Sequence, residues 1–162
     1  MRGKEFPQID FSKFSFPPVE LKIVRRNGVL KVFDILRKNY FILTEEELVR
    51  QLFVNWMISE LGYPQSLMAN EIGIKLNDTF KRCDTVVFKS NGSPFIIVEY
   101  KAPKVSINQE DFNQIIRYNM SLKADYLIVT NGYALYCCKI NYQEKTFDFL
   151  GNIPCYQEIK EI

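Results

Sequence analysis

The chain has 162 residues, 47% of them hydrophobic and 25% charged, with 21 Lys and Arg against 19 Asp and Glu. That size and balance suit one folded domain and exclude a disordered body. There is no histidine, which excludes Ser-His-Asp and Cys-His catalysis and histidine-ligated zinc, so acid–base work falls to carboxylates, Lys, Tyr, Cys or bound water.

Residues 1–19 read as an extended N-terminal arm, docked on the body or flexible, and residues 20–162 as a single domain. The first 40 residues lean basic, which we read as a solvated face. Leu21–Arg25 and Val29–Phe33 flank Asn27-Gly28, a hairpin signal. Residues 34–43 are ambiguous. Thr44 is placed to cap a helix, with Glu45, Glu46 and Glu47 in the first turn and Thr44/Glu47 fitting a capping box. Val49, Leu52, Phe53 and Trp56 recur at helical spacing until Gly62 and Pro64 stop the run.

From Glu71 the pattern changes to strands. Glu71–Leu76 is the first, with Asn77-Asp78 as its turn; Phe80–Phe88 and Phe95–Lys101 follow, joined by Ser90-Asn91-Gly92-Ser93. A helix over Gln109–Leu122 carries the stripe Phe112, Ile115, Ile116 and Met120. Tyr126–Thr130 is a near-continuous apolar strand, as expected where both faces are covered. Asn131-Gly132 turns the chain into Ala134–Ile140, and Phe147–Leu150 closes the series. The expected fold is α/β: one central mixed β-sheet flanked by helices, with a parallel crossover from Phe95–Lys101 to Tyr126–Thr130.

The four cysteines form no C-x-x-C pair and read as small buried apolar residues of a reducing compartment, with Cys137 and Cys138 on opposite strand faces. The N-terminus has no signal core, and no apolar run approaches the ~18 residues of a membrane span. A cytoplasmic protein without membrane contact is expected.

The Asn91-Gly92 turn predicts a register. With those two residues as the loop, Phe88 faces Phe95, Val86 faces Ile97, Asp84 faces Glu99 and Arg82 faces Lys101, so Asp84, Glu99, Arg82 and Lys101 share one face. Directly opposed carboxylates have Cβ atoms ~4.5–5.5 Å apart. At an effective dielectric of ~20 their repulsion is on the order of 3 kcal/mol. A shared proton, a neighbouring cation or a bound divalent metal would compensate it. Lys101 and Arg82 offer the second route. Hard oxygen ligands without histidine favour the third, with magnesium or manganese. Lys101 could then orient a water or stabilise charge on a phosphate. Gln114 and Tyr118 share a face of the following helix. Of the first-turn glutamates, Glu46, with Glu45 second, could reach the site, whereas Glu47 projects away. Bare E-x-K spacing is common on solvated strands; the register of Asp84 is what points to a site.

Arg82-Cys83-Asp84, then Ile97-Val98-Glu99-Tyr100-Lys101-Ala102-Pro103, then Gln114-Ile115-Ile116-Arg117-Tyr118 resemble the PD-(D/E)xK nuclease superfamily. More narrowly they resemble the N-terminal nuclease-like domain of type I restriction enzyme R subunits, whose pattern Thr44–Gln51 and Tyr126–Gly132 also match. The resemblance covers roughly residues 20–156. It implies a restriction-endonuclease-like fold and magnesium-dependent phosphodiester cleavage of DNA, with helicase or other restriction-system subunits as partners. It further implies Asp84 and Glu99 as metal ligands with help from the Tyr100 carbonyl, Lys101 as the catalytic lysine, Gln114 and Tyr118 as the helix motif, and Glu46 as the first-helix acid. Cys83 stands where the superfamily's proline would be, and nothing resembles a phosphate-binding loop. Members of the superfamily that bind without cutting supply the alternative, a catalytically silent nucleic-acid or protein binding module.

Overall fold

The computed structural model describes residues 6–76 and 78–160, with the side chains of Leu76, Thr79, Lys81 and Tyr118 outside that description. Asn77, expected in a turn, also lies outside the described residues.

The expected central sheet forms, and a second, smaller sheet stands beside it in the chain. The Asn27-Gly28 signal does make a hairpin: β1 (Ile23–Arg26) pairs antiparallel with β2 (Val29–Asp34), and both central residues have positive φ, as the two-residue turn requires. The ambiguous segment supplies β3 (Asn39–Ile42), which closes a separate three-stranded sheet. Its short length and mixed pattern hid it, because strand signals need several alternations to stand out.

The helix α1 (Glu45–Ser59) starts at Thr44, whose hydroxyl accepts from the Glu47 N–H. Only this half of the expected capping box forms, because the Glu47 carboxylate is taken by arginines. Val49, Leu52 and Phe53 are buried as read, while Trp56 is half-buried.

The main sheet runs β4 (Met68–Leu76), β5 (Thr79–Phe88), β6 (Pro94–Tyr100), β7 (Tyr126–Thr130), β8 (Leu135–Asn141) and β9 (Thr146–Leu150) in spatial order. Neighbours are antiparallel except β6 and β7, which are parallel and joined through α2 (Gln109–Leu122). Cys137 belongs to the core on one face of this sheet, with α1, Ile96, Val98 and Ile128; Cys138 belongs to the core on the other, with Ile97, Leu127 and the α2 residues Phe112 and Ile115. On α2, Met120 is half-exposed and Asn119 is buried instead, its amide donating to the Ala124 carbonyl at 3.3 Å.

Phe6, Ile9 and Phe16 are buried, and the Phe16 ring lies against Phe53 and Trp56. Gly132 takes φ +90°, and its carbonyl accepts from the Ser15 N–H at 2.8 Å. The Asn131 side chain caps the Tyr133 and Ala134 N–H groups and donates to the Val105 carbonyl, so this turn holds both the N-terminal segment and the loop after β6.

Candidate active site

The β5–β6 register holds in the middle and fails at both ends. Val86 faces Ile97, and Thr85 faces Val98, as the constant-sum count predicts. Phe88 faces Pro94 rather than Phe95, with an irregularity between Val87 and Phe88. The physical reason is the turn. Asn91 does not take positive φ, so a two-residue type I′ loop is not made; instead Lys89 donates to the Ser93 carbonyl, and the irregularity absorbs the difference.

At the other end the pairs between β5 and β6 stop at Thr85 and Val98, so neither Asp84–Glu99 nor Arg82–Lys101 is a ladder pair. Asp84 fills the gap with its side chain: Oδ2 accepts the Tyr100 N–H at 2.9 Å. The carboxyl of Glu99 still lies within hydrogen-bonding reach of that of Asp84. Burial, and then the Asp84 charge, push the Glu99 carboxyl up to about 9, against the partial relief given by Lys101 and Arg50. Two acids therefore share a half-buried spot at the end of β6, where Glu99 favours its protonated form.

Lys101 follows directly, its N–H donating to the Thr130 carbonyl, and its Nζ lies 4.0 Å from Asp111 in the first turn of α2. Arg82 is turned to solvent and pairs with Glu71, not with Lys101. Gln114 is exposed on α2, and the Tyr118 side chain lies outside the described residues. Glu46 faces solvent, yet its carboxyl is pushed above the usual range by lost hydration and by Asp84, with Arg50 and Lys101 opposing; it is an electrostatic neighbour of the site. Glu45 accepts from Gln8. Tyr100 buries its phenol, which donates to Thr85 Oγ1 at 2.9 Å.

Glu47 does not project away. It is buried and accepts from Arg37 at 2.7 Å, Arg50 at 2.5 Å and Gln51 at 2.9 Å. Arg50 is the residue that the sequence reading missed. Only 4% exposed, its guanidinium reaches Glu47 and Glu71 at 2.5 Å and Asp84 Oδ1 at 3.3 Å. An arginine inside the run Leu48-Val49-Arg50-Gln51-Leu52-Phe53 was the available signal, since a charge in an apolar stretch stays only with partners. Glu71 was missed as well. It sits in β4 between the pairs Asn70–Thr85 and Ile72–Cys83, with φ +52°, an uncommon backbone for this residue type that clusters at functional sites. Asp34 extends the network: it accepts from Arg37 and from Asn70, and Asn70 in turn accepts from Thr85. Burial raises the Asp34 carboxyl, but these hydrogen bonds outweigh it and hold it below the usual carboxylate range.

Among the described residues, no three Cys, Asp or Glu side chains group closely enough to hold a metal by themselves. Two carboxylates plus the Tyr100 carbonyl are the oxygen donors that could do so. The placing of Asp84 against the Tyr100 N–H beside Glu99, with Glu99 pushed toward its protonated form by burial and by Asp84, fits them to a hard divalent cation, whose positive charge would let both acids ionise.

Residues 45–154, well over half of the chain, match the sequence profile described as the type I restriction enzyme R protein N terminus. The chain belongs to that family. Among solved structures it is similar to a fragment described as an HsdR subunit of a type I restriction enzyme from Vibrio vulnificus YJ016, at 18% identity and a TM-score of 0.50 over 72% of this chain. The chain spans 24% of the length of that fragment. It is also similar to a protein of the DUF820 group from Anabaena variabilis ATCC 29413, at 13% identity and a TM-score of 0.49 over 90% of this chain and 89% of that one. No curated protein sequence matches. With its six-stranded mixed sheet and its likeness to the HsdR fragment, the chain has the α/β restriction-endonuclease-like fold that the motif resemblance implied. No described helix is long and apolar enough to cross a membrane.

Proposed function

We propose that this R protein N-terminal domain is a metal-dependent DNA endonuclease that hydrolyses phosphodiester bonds within a cytoplasmic restriction system, alongside helicase or other partner subunits. The observation that carries the reading is the meeting of Asp84 and Glu99 at the frayed end of the β5–β6 ladder, with the Glu99 carboxyl raised to about 9.

Asp84, Glu99 and the Tyr100 carbonyl would hold magnesium or manganese. Such an ion supplies Lewis acidity toward a phosphate and acidifies a bound water. The chain's own residues do the rest. The Tyr100 N–H and Arg50 fix the two Asp84 oxygens from opposite sides. Lys101, partly exposed beside the carboxylates, places a cation where charge develops on the scissile phosphate or its attacking water. Gln114 and Tyr118, on the helix that follows, are assigned to substrate contact, and Glu46 with Arg82 to the rim of the site.

The test is cleavage of plasmid and linear DNA in magnesium or manganese. Asp84→Ala and Lys101→Ala should each lower the rate by about a hundredfold or more, with the melting temperature retained for Lys101→Ala. Activity equal to wild type in either variant removes the assignment.

One observation favours the second reading, a binding module without turnover. Arg50 already neutralises part of the Asp84 charge, so the site has an internal cation before any metal arrives. DNA binding that is indifferent to divalent metal, with no cleavage, would select that reading.

A further inference from the structure

The charge of this protein is unevenly placed. Six of its 21 Lys and Arg residues fall in residues 22–38, against one acid, Asp34, which is fully buried. That segment forms most of the β1–β3 sheet, and it lies outside residues 45–154, the part that the family profile matches.

The register divides the sheet into two faces. Ile23, Val32 and Phe41 are cross-strand partners, and with Leu30 and Asp34 they make the inner face, where Val32 and Asp34 have no exposure. Val24, Lys31 and Ile42 are partners on the outer face, as are Phe33 and Tyr40, with Arg26 opposite Val29. Ile42 at 60% exposure and Val29 at 42% confirm that this face meets solvent. Its charged side chains are Lys22, Arg26 and Lys31, and among the described residues paired in these strands no carboxylate shares it.

The aromatics hold the cations up. Phe33 and Tyr40 pack edge to face at 5.3 Å. Lys22 lies 5.4 Å from the Phe33 centroid, and Arg26 lies 4.8 Å from that of Tyr40. Cations stacked on rings lose little further freedom when they bind an anion, and they keep their N–H donors. The rings are half-buried and already covered by cations, so they offer no clear platform for stacking a base. What remains is a sheet face on which Lys22 and Arg26 are held against rings with Lys31 beside them, and its complement is a phosphodiester backbone rather than unstacked bases.

We infer that the outer face of the β1–β3 sheet, through Lys22, Arg26 and Lys31, is a backbone-contacting surface for double-stranded DNA. This rests on the reading of the domain as a DNA-processing one. The surface adds affinity without sequence preference. Its inner face is joined to the catalytic end, because Arg37 links Asp34 to Glu47, and Glu47 to Arg50 and Asp84.

The test is fluorescence anisotropy of a labelled DNA duplex in chelator, across a salt series, with the full chain. The variants are Lys22→Gln/Arg26→Gln/Lys31→Gln, the milder Lys31→Glu, and a charge-matched control, Lys139→Gln/Lys145→Gln/Lys160→Gln. Each phosphate contact contributes about 0.9 to the slope of log K against log salt. The triple variant should lower that slope by about 2–3 and weaken binding at low salt by at least about tenfold. Lys31→Glu should weaken it in the same direction, and the control should retain wild-type binding. Wild-type affinity in the triple variant, an equal loss in the control, no duplex binding by the wild type, or equal competition by anionic lipid vesicles or an acidic polypeptide would each overturn the inference. The outcome is separable from the nuclease reading: duplex binding lost in the triple variant supports this surface even if no DNA is ever cut.

Discussion

Arg50 Nη2 stands 3.3 Å from Asp84 Oδ1, while the other oxygen of the same carboxylate takes the Tyr100 N–H at 2.9 Å. Asp84 is thus held between a helix and a strand end. The same arginine also binds Glu47 and Glu71, so one buried cation bridges three acids from α1, β4 and β5. Burial alone would lower the Arg50 pKa, but Glu47, Asp84 and Glu71 outweigh it and raise it.

Removing that cation leaves Glu47, Glu71 and Asp84 with one charge fewer among them, each keeping only its remaining partner: Arg37 with Gln51, Arg82, and the Tyr100 N–H. Arg50→Met should destabilise the fold by about 3–5 kcal/mol, read as a lower urea midpoint. A loss below about 1 kcal/mol would mean that the acids simply take up protons or water, and that Arg50 is not the joint between helix and sheet.

The Glu99 carboxyl gives a pH dependence with a definite sign. Its folded value is raised from the usual 4.5 to about 9, so the native state keeps a proton that the unfolded chain has released. This stability is fully present below pH about 4.5 and is lost as pH rises toward about 9. Without metal, the melting temperature of the wild type should fall across that window. Glu99→Gln, which cannot ionise, should flatten the decline and melt higher than wild type at pH 8. Parallel profiles for the two proteins would contradict the assignment of the shift to Glu99.

Gly132 serves the fold rather than the chemistry. Its φ of +90° disfavours any side chain, and an added Cβ would stand 2.7 Å from the Phe14 ring. Gly132→Ala should cost about 1–3 kcal/mol in thermal or urea unfolding and loosen the N-terminal segment, seen as faster amide exchange at Ser15. Wild-type stability would show that the Phe14 ring moves aside without consequence.

The sequence was most legible where the pattern was long. Helix α2 and strand β7 fall within the expected bounds, because fourteen residues of helical period and a run of four apolar residues closed by Thr130 leave little choice. The count across β5 and β6 brought Asp84 near Glu99 but not into the expected ladder pair, and the turn it started from is built differently. The β1–β3 sheet was half visible, through its Asn27-Gly28 turn, and its third strand was not. The least legible feature was the ionic network. Arg37, Glu47, Arg50 and Glu71 are scattered over 35 positions and are brought together only by the packing of α1 on the sheet, which no local period encodes. The backbone of Glu71 is a tertiary consequence of the same kind, since an isolated glutamate in a strand gives no hint of φ +52°.

The measurement that bears most directly on the central claim is calorimetric titration of manganese into the wild type and into Asp84→Ala/Glu99→Ala. The account predicts saturable binding to the wild type that vanishes in the double variant while both proteins remain folded. Equal binding to both, or none to the wild type with DNA present as well as absent, would contradict it.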